Sequence, residues 1–137
     1  MLSSNDIASA FVFVYTASGE YSGVNPTFDQ RTFYNSYTKD LVVATRRREQ
    51  TDPIKIINLS DSDENKLKQT MKDNNLFSTK EVYYTNAINV YEQRLYVILD
   101  GKVHSVQWNV LKASAWDPIP QGLEEIIKTI KGMISSK

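Results

Sequence analysis

An acidic string in the middle of the chain opens with the spacing of a calcium-binding loop. Asp61-Ser-Asp63-Glu-Asn65 places oxygen-bearing side chains at the first, third and fifth positions, as such a loop requires. The pattern then fails, because Lys66 stands where the sharp turn needs glycine and Lys72 where a bidentate glutamate closes the cage. A helix start with Ser60 as its N-cap explains the acids better, since carboxylates interact favourably with a helix N-terminus.

His104 is the only histidine in the sequence, and there is no cysteine. The lack of cysteine excludes disulfides, thiolate metal ligands and thiol catalysis. A lone histidine with no acid placed beside it predicts neither a triad nor a zinc site, so we expect a strand residue that is packed or hydrogen-bonded. Glu124 and Glu125 diverge by about 100° on a helix and indicate surface charge rather than an acid–base pair. We predict no metal and no cofactor.

Arg46-Arg47-Arg48 concentrates positive charge at the end of a predicted strand. Alternate side chains of a strand point to opposite faces, and Glu49 and Asp52 follow at once. The sequence balances 16 basic with 16 acidic residues, and its aromatic residues do not form the pattern of an RNA-binding sheet. We therefore predict solvated or sheet-edge arginines and no nucleic-acid partner.

Turns are predicted after the first strand, where they are marked by Gly19, Gly23 and Asn25-Pro26. This loop lacks the lysine of a phosphate-binding loop and is followed by a strand where such a loop must run into a helix. A glycine-bearing loop on a rigid sheet is, however, typical of binding sites, and we expect Tyr21 and Tyr37 to be exposed contact points. The predicted interaction loop consists of Ser18, Gly19, Glu20, Tyr21, Gly23 and Asn25.

Asp100-Gly101 is the clearest structural signal in the chain. This dipeptide tolerates the positive φ angles of a two-residue hairpin turn, and apolar runs flank it on both sides. Since both faces of the hairpin carry apolar residues, we expect it to be central in a sheet. The predicted pairs are Leu99 with Lys102, Ile98 with Val103, Val97 with His104, Tyr96 with Ser105, Leu95 with Val106 and Gln93 with Trp108.

Further strands are predicted at 11–15, 27–37, 41–45 and 80–85, with a short strand or a tether at 54–57. Helices are predicted near 61–74 and 121–134; the second carries one apolar stripe from Leu123 to Ile134. These elements predict a single α+β domain over 1–137, with 1–9 as a flexible leader. Its fold is an antiparallel sheet of about five strands with two helices packed on one face.

The length of 137 residues and the hydrophobic content of 41% suit one globular domain. The longest apolar run, 10–15, is far shorter than a membrane span, so we predict no membrane partner. The start of the chain lacks the positive charge of a signal peptide, which favours a cytoplasmic protein. An exported protein whose signal has been removed is the alternative.

The loop after the first strand resembles a Ser-Gly-Gly-Phe-Ala-Gly pattern found in a set of small prokaryotic domains. Ser18, Gly19 and Gly23 match, Tyr21 replaces Phe, and Glu20 and Ser22 differ. One branch of the set is the emfourin-type inhibitors of thermolysin-like metalloproteases. The order of helices and strands is also similar, so the resemblance implies this architecture and, in its sharpest form, protease inhibition.

The sequence thus favours a non-enzymatic interaction module that binds a protein partner. One alternative is the subunit of a homodimer, because two helices leave apolar strand surface to be covered. Another alternative is a small enzyme that uses carboxylates with His104.

Overall fold

The long central strand β1 organises a single sheet, described here from a computed structural model. The structure describes residues 10–20, 27–47, 50–83, 91–108 and 121–135. The strands are β1 (Val12–Glu20), β2 (Thr27–Asn35), β3 (Asp40–Arg47), β4 (Gln50–Thr51), β5 (Lys55–Asn58), β6 (Val82–Tyr83), β7 (Tyr91–Leu99) and β8 (Lys102–Trp108). The helices are α1 (Asp61–Asp73), a 3₁₀ turn (Leu76–Ser78) and α2 (Gln121–Ser135).

Over the described residues the sheet has eight strands: seven lie in the order β4-β3-β2-β1-β7-β8-β6, and β5 also pairs with β3. All pairs are antiparallel except β6 with β8, which makes the sheet mixed. The prediction of α+β architecture is confirmed, but the prediction of about five antiparallel strands is wrong. Of the additional strands, β4 was not predicted, because its two residues are too few to show a periodic pattern, whereas β5 and β6 overlap the segments predicted at 54–57 and 80–85.

The hairpin of β7 and β8 has the predicted register at every pair from Leu99–Lys102 to Gln93–Trp108. Asp100 and Gly101 have φ angles of 54° and 74°, as a type I′ turn requires. The other edge of β7 pairs with β1, so the hairpin is central as expected.

β1 extends to Glu20 and therefore runs through the start of the predicted loop. Ser18 is paired with Asp29 of β2 on one side and with Glu92 of β7 on the other. Because ladders on both sides hold this backbone, the turn preference of Ser18-Gly19 is overridden. The prediction of a turn at Gly19 is therefore wrong, whereas those at Gly23 and Asn25-Pro26 lie outside the described residues.

The start of α1 confirms Ser60 as its N-cap. The Ser60 hydroxyl accepts a hydrogen bond from the Asp63 backbone N–H at 3.0 Å, and the Asp63 carboxylate accepts one from the Ser60 N–H at 3.4 Å. This reciprocal capping box explains the acidic string. Among the described residues, no cluster of three or more histidines, cysteines or acids could hold a metal ion.

Both helices pack on one face of the sheet, as predicted. β1 contributes Phe13, Tyr15 and Ala17 to the buried cluster, and α1 contributes Leu67 and Met71. The stripe of α2 completes it with Leu123, Ile126, Ile127, Ile130 and Met133. One continuous core therefore lies between the helices and this face.

Candidate functional site

The predicted interaction loop is only partly within the described residues. Ser18, Gly19 and Glu20 lie in β1, and the Ser18 side chain is exposed. Tyr21, Gly23 and Asn25, like the predicted leader at 1–9, lie outside the described residues. Tyr37, in the turn between β2 and β3, is exposed as expected.

His104 is a packed and hydrogen-bonded strand residue, as predicted. Its Nε2 lies 2.8 Å from the hydroxyl of Thr79, and its ring lies 5.7 Å from that of Phe77. Thr79 already donates its hydroxyl proton to the Leu76 carbonyl at 2.7 Å, so His104 Nε2 carries the hydrogen and donates it. The histidine thereby ties the 3₁₀ turn to the sheet.

Glu64 of α1 is a buried carboxylate that the sequence pattern assigned only to the helix dipole. Its Oε1 accepts a 2.5 Å hydrogen bond from the Tyr34 hydroxyl, and its Oε2 lies 3.3 Å from Lys68 Nζ. Burial, followed by the hydrogen bond to Glu64, raises the pKa of Tyr34 well above the ordinary range. The phenol therefore remains a donor, and the group fastens α1 to β2.

Lys39 continues this network at the surface. Its Nζ lies 3.8 Å from Glu64 Oε1 and also pairs with Asp61. The hydrogen bond between Lys39 and Asp61 raises the pKa of the amine and lowers that of the carboxyl. The charged groups around Glu64 are thus all engaged in holding α1 in place.

The opposite face of the sheet, which we call the open face, carries a continuous apolar row. Cross-strand partners place five side chains in line across it, which we call the apolar row: Ile56, Val42, Phe33, Val14 and Tyr96. Phe33 is 40% exposed, Tyr96 36% and Ile56 63%. Val12, Ile98 and the 61% exposed Val103 adjoin the row on the side of the β7–β8 turn.

Charged side chains lie beyond the apolar row at one end of the strands. We call this set the arginine end; it comprises Arg31, Arg46 and Arg94 with the acids Asp29 and Glu92. Arg31 Nε lies 3.6 Å from Asp29, and Arg94 Nη2 lies 3.9 Å from Glu92. Arg46 is exposed, as the prediction of solvated arginines requires.

The other end of the same face has a different character near β3. There Asn58 Nδ2 donates to Asp40 Oδ1 at 3.3 Å, and Asn35 is the partner of Asp40 across the β2–β3 ladder. We call these three residues the Asp40 corner. The apolar row thus lies between a set rich in arginine and a corner that carries a carboxylate.

A contiguous apolar area with a polar rim is typical of a surface that contacts another molecule. Single exposed apolar residues need no explanation, but this row crosses five strands. A signal for it exists in the sequence, since the strands alternate two apolar sets. Which set the helices cover becomes clear only from the pairing.

A cavity of about 360 Å³ lies between the end of α1 and the start of α2. Its lining residues are Asp73, Asn74, Asn75, Ser78, Thr79, Tyr83 and Gly122. Several of their polar groups serve the local backbone: Asn74 Nδ2 donates to the Thr70 carbonyl at 2.8 Å, and the Tyr83 hydroxyl accepts from the Lys80 N–H at 2.9 Å. These contacts indicate a structural role for the lining.

Comparison with protein-family models and with curated proteins gives no significant match. No helix among the described residues is both long and apolar enough to cross a membrane.

Proposed function

We propose that this chain is a non-enzymatic interaction module that binds a protein partner through the open face of its sheet. The observation that carries the proposal is the apolar row: Phe33, Tyr96 and Ile56 are exposed and Val14 and Val42 are half-buried, although all five lie on the strands that form the core. Burying such surface against a partner is favourable by about 25 cal/mol per Å².

Strand pairing also orders the backbone of the open face before binding, which lowers the entropic cost of association. Val14 and Phe33 lie on strands that are paired along both edges, so their backbones lose little freedom when a partner packs on them. The arginine end supplies the polar rim. The guanidinium groups of its arginines can bind carboxylates of a partner with paired N–H groups.

The roles of His104 and Glu64 support a non-enzymatic function over the small-enzyme alternative. His104 donates to Thr79, and Glu64 accepts from Tyr34 inside the protein. A general base must instead reach a substrate proton. His104, which the enzyme alternative names, and the buried carboxylate of Glu64 are thus both engaged in contacts within the fold.

Co-purification tests the proposal. A tagged chain and its Phe33→Lys variant are expressed at native level, with Lys66→Glu on the exposed surface of α1 as the matched control. We expect a discrete partner band with the parent chain and the control and at least a tenfold loss with Phe33→Lys, because a charge at the centre of the row must be desolvated on binding. Recovery of the same amount of partner with Phe33→Lys and with Lys66→Glu, or of no partner with the parent chain and the control, would overturn the proposal.

A further inference from the structure

We propose that the cavity between the end of α1 and the start of α2 binds a small neutral polyhydroxyl compound, of about the size of a monosaccharide. This site is separate from the open face, because the helices cover the other side of the sheet. The cavity has a volume of about 360 Å³, within the range of about 300–1,000 Å³ that is typical of small-molecule sites. Its place at the lower end of that range limits the ligand to a small molecule.

One set of polar side chains holds the walls of the cavity in place. Asn74 Nδ2 donates to the Thr70 carbonyl at 2.8 Å, and the Thr79 hydroxyl donates to the Leu76 carbonyl at 2.7 Å. Asn74 also packs against Gly122, where an added Cβ would lie 2.8 Å from the Asn74 backbone oxygen. These contacts order the walls before a ligand enters, which lowers the entropic cost of binding.

Tyr83 adds a buried hydrogen-bond donor to the lining. The residue is 4% exposed, and its hydroxyl accepts a hydrogen bond from the Lys80 backbone N–H at 2.9 Å. A phenol can both accept and donate, yet the phenolic proton has no acceptor among the described residues. Buried polar groups in folded proteins nearly always find their partners, so this proton indicates an acceptor within the cavity.

Three more lining residues offer polar atoms that the fold does not use. Asp73 accepts from Gln69 Nε2 with Oδ1 at 2.7 Å, which leaves Oδ2 to accept from a ligand. The Asn75 amide and the Ser78 hydroxyl make no hydrogen bond within the described part of the chain. With Tyr83 these groups place donors and acceptors side by side. Neighbouring hydroxyl groups match this mixture, because each hydroxyl both donates and accepts.

The charge of the lining disfavours ionic ligands. Asp73 is the one carboxylate among the lining residues described, and none of them is a lysine or an arginine. The adjacent Lys72 lies 3.0 Å from Asp100 at the hairpin turn. A phosphate or a carboxylate would therefore meet a like charge, whereas an ammonium would pair with Asp73 but give the Tyr83 proton no acceptor. Neutral hydroxyl groups satisfy both residues.

Titration followed by the nuclear magnetic resonance signals of the backbone amides tests the site, with glucose, galactose and mannose as probes. We expect saturable shifts at 73–79, 83 and 122 with at least one sugar. Dissociation is expected in the millimolar range, because a few hydrogen bonds to a small ligand compete with water. Inorganic phosphate and ethylammonium are expected to give no saturable shifts there. No saturation with any of the three sugars up to about 100 mM, or tighter binding of either ion, overturns the proposal.

Conservative variants with a matched control test the residues. Asp73→Asn removes the charge and Ser78→Ala a hydroxyl, and each is expected to weaken sugar binding about threefold to tenfold. Tyr83→Phe keeps the ring and loses the phenolic proton, and we expect a loss of at least tenfold, with the amide signals far from the cavity reporting that the fold is retained. Ser62→Ala, on the exposed start of α1, is expected to leave the affinity unchanged. Unchanged affinity in both Asp73→Asn and Tyr83→Phe, or an equal loss in Ser62→Ala, overturns the proposal.

Discussion

Replacing Thr32 by valine is expected to stabilise the protein. Thr32 is fully buried on the side of the sheet that the helices cover, and its Oγ1 has no hydrogen-bond partner among the described residues. A buried hydroxyl that loses its hydrogen bonds to water is unfavourable by about 1–3 kcal/mol. Valine has nearly the same shape and removes this penalty, so we expect the free energy of unfolding to increase by about 1 kcal/mol.

Thr45 offers a matched control on the neighbouring strand β3. Its buried Oγ1 accepts a 3.1 Å hydrogen bond from Gln30 Nε2. Thr45→Val leaves this donor without its acceptor, and we expect a loss of about 0.5–1.5 kcal/mol. The same chemical change thus has opposite signs at the two positions.

Urea unfolding followed by circular dichroism measures both variants, and calorimetry gives the accompanying shifts in Tm. For a domain of this size, 1 kcal/mol corresponds to about 3 °C. If Thr32→Val is destabilised, or if the two variants change stability by the same amount, the Thr32 hydroxyl has a partner and the reasoning is refuted.

Three further predictions concern other parts of the chain. Tyr34 keeps its proton in the folded state, whereas in the unfolded chain it ionises at about pH 10, so the free energy of unfolding falls above that pH by up to about 1.4 kcal/mol per pH unit. Tyr34→Phe removes this pH dependence and also loses about 1–3 kcal/mol of stability at neutral pH. Urea unfolding at a series of pH values measures both effects. A dependence above pH 10 that is unchanged in the variant would contradict the assignment. Gly122→Ala is expected to destabilise the protein by about 1–3 kcal/mol, because the added Cβ would lie 2.8 Å from the Asn74 backbone oxygen. Gly132→Ala, whose Cβ would have no atom within 4 Å, is expected to stabilise it by about 0.5–1 kcal/mol. Thermal unfolding measures both variants, and the reverse order of stability would refute this packing. The resemblance to emfourin-type inhibitors predicts stoichiometric inhibition of a thermolysin-like metalloprotease in a peptidase titration, and full activity at an excess of the chain would exclude it.

The parts of the fold that local chemistry determines could be predicted from the sequence. Asp100-Gly101 sets the hairpin register because both residues accept positive φ, and Ser60 with Asp63 sets the start of α1. The apolar stripe of α2 likewise needs no partner to be recognised.

The remaining features depend on contacts between distant parts of the chain. β1 runs on to Glu20 because β2 and β7 pair with it, and Glu64 is buried because Tyr34 reaches it from another strand. The open face could be anticipated only as a surplus of apolar strand surface. Its row formed by Phe33, Val14 and their neighbours required the register of several ladders.

Site-specific photo-crosslinking in living cells tests most directly whether the open face contacts a partner. One variant of the chain carries a photoreactive side chain at position 33, and a second variant carries it at position 66 on α1. We predict a discrete crosslinked species from position 33, of twice the chain mass if the partner is a second copy, and none from position 66. Equal crosslinking from both positions, or none from position 33, would contradict the proposal that the open face is the interaction surface.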